Sequence, residues 1–181
     1  MKKLIFLVLF PLLGSSLNAQ NNSDTNNENA KYREFDFWVG DWIVYRTGTE
    51  DTLGYSKIDS IVNGFAVQET YKSARSKYTG TSINKYNSVT GQWEQYYVDN
   101  TGLTLHLKGR KKGNKMILEN MLETADGNLG NRITWTEHKD GTVQQIWEQS
   151  SDDGESWSKI FDGVYKKRNS GKNKKAEKSK D

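Results

Sequence analysis

Seven turn dipeptides divide the stretch from Trp42 to Tyr165 into short runs: Asn63-Gly64, Thr90-Gly91, Thr101-Gly102, Lys112-Gly113, Asp126-Gly127, Asp140-Gly141 and Asp153-Gly154. Within the runs, β-branched and aromatic residues alternate with polar ones, which is the period-2 signature of strands with two different faces. The spacing predicts about ten strands, at 41–48, 53–62, 65–73, 78–87, 92–99, 103–109, 114–122, 131–138, 142–150 and 156–167. No stretch repeats apolar residues at helical spacing over three turns. Nearly every connection is short enough for a hairpin, so neighbours in sequence should pair in the sheet. An open meander of ten strands would leave two long edges, and closure removes both. The expected fold is all-β, an up-and-down antiparallel β-barrel of about ten strands. The short apolar segment Phe35–Val39 should form a helical turn that caps its base.

The chain has no cysteine, which removes disulfides, thiolate nucleophiles and Cys-based metal sites. Stability has to come from a packed core, for which six Trp, nine Tyr and six Phe supply large apolar surfaces. Residues 1–19 read as a secretory signal: Lys2 and Lys3 open it, Leu4–Leu13 is its apolar region, and Leu17-Asn18-Ala19 precedes a cleavage site at Gln20. The apolar run is too short to span a bilayer. A periplasmic or secreted protein without a stable membrane anchor is expected. Residues 20–34 read as a disordered polar linker, 35–167 as the barrel and 168–181 as a basic, disordered tail. Lys166–Asp181 holds eight basic residues, and the chain between signal and tail has 16 basic against 21 acidic residues. The barrel is thus mildly acidic, and nucleic acid is not an expected partner. The sequence leaves the oligomeric state open.

The segment Phe35-Asp36-Phe37-Trp38-Val39-Gly40-Asp41-Trp42 places a Gly-x-Trp step just before this β-rich run. With Ser82–Tyr86, Gly91-Gln92-Trp93, Tyr97-Val98-Asp99, Arg132–Thr136, Gln145–Glu148, Asp153–Trp157 and Phe161–Tyr165, it resembles the calycin superfamily. Within that superfamily it looks like the secreted bacterial lipocalin-like domains. The resemblance covers most of residues 35–166. It implies a barrel with an internal cavity and a Trp plugging its closed end, and it implies no particular chemistry. It also suggests that Arg168, just past the last strand, stacks on Trp42. The haem-binding branch of the superfamily uses a proximal histidine near the last strands. Here only His106 and His138 exist, and His138 sits beside a turn. No cofactor and no metal are expected.

Alternation assigns faces once one residue is fixed. Taking Trp42 as inward places Val44 and Arg46 on the same face. Sets spaced by two on later strands then suggest the lining: Glu69 and Tyr71; Ser82, Asn84 and Tyr86; Trp93, Gln95, Tyr97 and Asp99; Arg132, Thr134 and Thr136; Gln145 and Trp147; Lys159, Phe161 and Tyr165. Candidate ligand contacts are Glu69, Asn84, Trp93, Gln95, Asp99, Gln145, Trp147 and Tyr165. Aromatic faces beside amides and carboxylates suit a sugar ring or another polar planar ligand better than a fatty acid. On the strand from Leu103 the leucines share one face and His106 lies on the other, which is either exterior or a wetter part of the lumen.

Motifs of phosphate-binding loops, nucleophile elbows and zinc hydrolases are absent from the sequence. The primary expectation is an exported barrel binding a small polar-aromatic or carbohydrate-like ligand. The alternative is a cofactor-free lyase or dehydratase acting on uronic-acid oligosaccharides by β-elimination. For that chemistry Arg132, with Asn84 or Gln95, would hold the carboxylate, and His106 or Tyr97 would handle the proton. A filled structural barrel without a small ligand is the third reading.

Overall fold

The computed structural model describes residues 30–168. The expected signal and nearly all of the expected basic tail lie outside those residues. Ten strands form: β1 (Gly40–Arg46), β2 (Thr52–Ile61), β3 (Ala66–Ser73), β4 (Thr79–Asn87), β5 (Gln92–Asp99), β6 (Thr104–Lys112), β7 (Lys115–Thr124), β8 (Gly127–Glu137), β9 (Val143–Ser150) and β10 (Ser158–Lys167). Each pairs antiparallel with the next, and β1 pairs with β10 to close the barrel. The expected all-β, up-and-down architecture is therefore present.

One boundary moves appreciably. β8 starts at Gly127 instead of near 131, because Thr124 pairs with Gly127 across a two-residue turn. The run Gly127-Asn128-Leu129-Gly130 has the composition of a loop, yet it pairs fully with β7, an instance of context overriding local strand propensity. β6 also extends to Lys112, where it pairs with Lys115.

The base is closed by residues that precede β1. Residues 30–32 form one helical turn and Asp36–Trp38 a 3-10 turn. Residues 30–34, expected as part of a disordered linker, instead belong to the fold. Tyr32 packs edge-on against Phe65 and Tyr86 at 4.6 and 5.5 Å between ring centres. Glu34 accepts a hydrogen bond from Trp93 Nε1 at 3.0 Å. These contacts give the polar segment a reason to stay ordered that its composition does not reveal.

Phe35, Trp38, Trp42, Trp93, Trp135 and Tyr165 are all fully buried and form an aromatic plug. Phe35 stacks on Trp38 at 5.1 Å and meets the edges of Trp93 and Trp135 at 5.7 and 5.1 Å. Edge-to-face and offset geometry of this kind adds to the stabilisation from burial. Trp42 donates its Nε1–H to Trp38 O at 2.8 Å, tying the 3-10 turn to the first strand.

Lys167, not Arg168, covers Trp42. Its Nζ lies 4.0 Å from the Trp42 ring centre and donates to Val39 O at 2.7 Å. The register explains the exchange: Lys167 is the cross-strand partner of Trp42 and shares its face, whereas Arg168 falls on the opposite face over Tyr55. Gly40, at φ 153°, makes room, since a Cβ there would collide with Lys167 Nζ.

Candidate functional site

Beyond the plug the barrel is hollow. A cavity of about 240 Å³ is lined by Glu69, Gln95, Tyr97, Gln145, Trp147 and Tyr165, with Leu105 and Ile133 supplying apolar wall. Tyr71, Tyr78, Ile160 and Phe161 line it as well. Those four also line a groove of about 570 Å³ that takes in Arg46, Arg75 and Lys159, so the cavity opens toward a basic mouth.

Antiparallel register builds the polar floor. Ser56 pairs with Tyr71, Glu69 with Ser82, and Ser82 with Tyr97, which carries inward-facing polar side chains across β2, β3, β4 and β5. Glu69 is 4% exposed. Its Oε1 accepts from Ser56 Oγ at 2.7 Å and lies 3.4 Å from the Tyr165 hydroxyl. That phenolic proton has a nearer acceptor in Gln145 Oε1, at 2.5 Å. Burial pushes the Glu69 carboxyl up to about 7, against the opposing pull of the Ser56 and Tyr165 hydrogen bonds.

Gln95 supplies a second acceptor. The amides nearby can be oriented without ambiguity, because a backbone carbonyl only accepts. Asn84 Nδ2 must face Val67 O, at 3.1 Å, and it also donates to Ser82 Oγ at 2.9 Å. Asn84 Oδ1 is therefore the acceptor for Gln95 Nε2 at 2.8 Å. Gln95 Oε1 is left fully buried, on a residue that lines the cavity, with no hydrogen-bond partner among the described residues. A buried acceptor in that state costs about 1–3 kcal/mol.

Toward the mouth lies a cluster of phenols. The Tyr78 and Tyr97 hydroxyls are hydrogen-bonded to each other, and Tyr78 donates to Asp99 Oδ2 at 3.0 Å. Burial, with the nearby Glu69 and Tyr78, pushes Tyr71 up to about 12. Burial and the Tyr78 hydrogen bond raise Tyr97 further, and Tyr78 is raised chiefly by burial. All three are neutral O–H groups at physiological pH and are suited to donate, not to abstract, a proton. Gly80 makes this packing feasible: a Cβ there would collide with the Tyr97 hydroxyl. Burial works against ionisation of Asp99, but hydrogen bonds from the Thr101 side chain and backbone, Tyr78 and Leu103 N–H hold its carboxyl below the usual range.

Trp147 presents a fixed ring to the cavity. Its Nε1 donates to Asn131 Oδ1 at 3.1 Å, Asn131 Nδ2 donates to Asn120 Oδ1, and Asn120 Nδ2 donates to His106 O. Opposite it, a bulge in β10 between Lys159 and Phe161 breaks strict alternation, so that half-exposed Ile160 sits at the cavity mouth beside Phe161.

Of the residues singled out from sequence, Glu69, Gln95, Tyr97, Gln145, Trp147 and Tyr165 come together around this one cavity. Asn84 stands behind it and orients Gln95, while Asp99 holds Tyr78 at the rim. Trp93 belongs to the plug instead, with its Nε1 turned to Glu34. Two placements need correction. His106 lies on the outer face, stacked on Tyr96 at 4.2 Å and hydrogen-bonded to Glu94 at 3.1 Å. Arg132 is also outside: it pairs with Glu148 at 3.0 Å and lies over the Trp157 ring at 4.1 Å. The inward residues of β8 are Asn131, Ile133 and Trp135. Neither His106 nor Arg132 can reach a ligand in the lumen.

Sequence reasoning missed Tyr78, Leu105, Ile133 and Ile160 as lining residues. Tyr78 had a usable signal, since it shares the parity of Ser82 and Asn84. Among the described residues no cluster of three or more His, Asp or Glu side chains is placed to hold a metal. No protein-family description matches the chain, and no curated protein matches it.

Proposed function

We propose that this barrel is exported and binds a small polar ligand with an apolar ring face, of carbohydrate type, in the cavity between Trp147 and the Glu69–Gln95 floor. The observation that carries the reading is Gln95 Oε1: of the four buried polar atoms without a partner among the described residues, Asp36 Oδ1, Trp38 Nε1, Trp135 Nε1 and Gln95 Oε1, it alone belongs to a residue of the cavity wall. A ligand hydroxyl in hydrogen-bonding reach would satisfy it, and a hydrocarbon tail would not. Aromatic walls from Trp147, Phe161 and the phenols would cover the C–H faces of a sugar ring while the hydroxyls meet amide and carboxyl groups. The cavity volume is below the ~300–1,000 Å³ usual for drug-sized ligands, which favours one ring deep inside and further groups at the mouth.

Titration of intrinsic tryptophan fluorescence with neutral monosaccharides and uronic-acid oligosaccharides tests the reading. A saturable change that Trp147→Ala weakens at least tenfold, with the fold intact by circular dichroism, is the expected result. Silence across the panel, or binding indifferent to Trp147, would refute it. Export is tested separately by the N-terminus of the mature protein, expected at Gln20.

The second reading, a lyase, is favoured by the Glu69 carboxyl lying near 7 while the phenols beside it are raised. Groups whose pKa values are driven apart in one cavity form an acid–base pair. In a β-elimination Glu69 would take the proton α to the uronate carboxylate. The C–C double bond would form as the C4–O bond breaks, and Tyr97 would protonate the departing oxygen. Growth of unsaturated-uronate absorbance in the same wells, lost in Glu69→Gln, would establish this chemistry over simple binding.

A further inference from the structure

The groove above the cavity is lined by Arg46, Arg75, Lys159 and Asp162, and its three cations outnumber the two carboxylates that pair with them, Asp51 and Asp162. Arg46 and Arg75 share a single carboxylate, Asp51, at 3.9 and 3.4 Å. Lys159 pairs with Asp162 at 2.9 Å, and that carboxylate also accepts from Thr47 and Gln144. Beneath this rim the lining is phenolic and apolar down to the Glu69–Gln95 floor. The floor asks for donors and the mouth attracts an acceptor of negative charge, so the two ends of the site select different ends of one molecule.

We propose that the ligand is an anionic saccharide of the uronic-acid class, bound with ring hydroxyls on Gln95 Oε1 and Glu69 and with a carboxylate at the mouth against Arg46 and Arg75. This rests on the reading of the cavity as a sugar site and adds its substrate class and orientation. A fatty acid offers the same anionic head but would put a hydrocarbon end on an unsatisfied amide oxygen and a carboxyl group, at an uncompensated desolvation cost. A neutral sugar would satisfy the floor and leave the basic rim without a role. Guanidinium groups match a carboxylate in shape, and their exposure lets them draw anions from solution in a salt-dependent way.

The test compares disaccharides of galacturonate, glucuronate and mannuronate with their methyl esters, which keep the shape and lose the charge. Affinities are read by tryptophan fluorescence at low and high salt. The acid form is expected to bind roughly 5- to 10-fold tighter than its ester, each exposed ion pair adding a few-fold. The double variant Arg46→Gln, Arg75→Gln should bring the acid-to-ester affinity ratio to about one and remove its salt dependence. Gln95→Met should weaken acid and ester alike, because it acts at the floor. Equal affinities for acid and ester, or an acid preference that survives the double variant, would overturn the proposal and leave the sugar-site reading standing. Binding of neutral sugars alone would do the same. Failure of every saccharide, charged or neutral, would bring down both.

Discussion

Replacing Glu69 with Gln should stabilise the protein at alkaline pH and leave its stability unchanged under acid conditions. The carboxyl is 4% exposed and is held at about 7, against an ordinary value of 4.5. Below pH 4.5 it is protonated in both the folded and the unfolded chain and contributes nothing to the pH dependence. Between about 4.5 and 7 the unfolded chain gives up this proton while the folded chain keeps it. The folded state then binds more protons, and stability falls as pH rises. Above about 7 both states are ionised and the penalty is constant, at roughly 3 kcal/mol for a displacement of this size.

Gln is the right replacement because its Oε1 can still accept from Ser56. Its Nε2 takes the position of the carboxyl oxygen that has no partner among the described residues. Urea denaturation of both proteins, followed by tryptophan fluorescence from about pH 5 to 8.5, reads the effect. The difference between the two should open from about 1 kcal/mol to about 3 kcal/mol across that window, the latter equivalent to ~10 °C in melting temperature for a domain of this size. Asp99 and Asp162, whose carboxyls are held low, change stability only at more acid pH and cancel in the difference. A gap between the parent and the Glu69→Gln protein that is the same at both ends of the window would refute the argument. So would a variant that is less stable at the alkaline end.

Gly80→Ala should destabilise the barrel by about 1–3 kcal/mol, since its Cβ would drive the Tyr97 hydroxyl off Tyr78; denaturation and a ligand titration should both register it. Lys167→Met removes a cation from the Trp42 ring and a donor from Val39 O, at a cost of about 1 kcal/mol. Arg168→Met should cost less than ~0.5 kcal/mol in the same thermal melt, because Arg168 lies over exposed Tyr55. His106→Ala and Arg132→Gln should leave cavity affinity within about twofold of the parent, as both residues point away from the lumen; a larger loss would show that the ligand binds on the outer face.

The strand count was legible because nearly every hairpin announces itself with a turn residue, and closure follows from edges that would otherwise stay bare. What misled on β8 was an assumption about polarity. Arg132, Thr134 and Thr136 look like a cavity lining only if polar residues are taken to point inward. In a barrel whose base is an aromatic plug, the inward positions there are Asn131, Ile133 and Trp135, two of them apolar. The β10 bulge was hidden for a related reason. Alternation assigns Lys159 and Phe161 to one face, and only the pairing with β9 reveals the extra residue that sets half-exposed Ile160 at the cavity mouth. The packing of residues 30–34 on the barrel was illegible in a polar stretch because its partners, Phe65, Tyr86 and Trp93, lie far along the chain.

The floor of the cavity differs in kind from these cases, because hydrogen-bond satisfaction is a property of a network and not of any one residue. Asn84, Ser82 and the Val67 carbonyl together fix the direction of the Gln95 amide, and none of them satisfies its oxygen. The neighbouring Glu69 carries an ionisation penalty of similar size. A barrel built only to be filled would avoid both costs with a Leu at each position, as β6 does with Leu105 and Leu107. The aromatic plug leaves Trp38 Nε1 and Trp135 Nε1 without partners as well, so what supports the proposed polar-ligand site is that the Gln95 and Glu69 costs both fall on the cavity wall. The same arrangement predicts that a bound saccharide should raise stability most where Glu69 and Gln95 are intact, and least in the Gln95→Met protein.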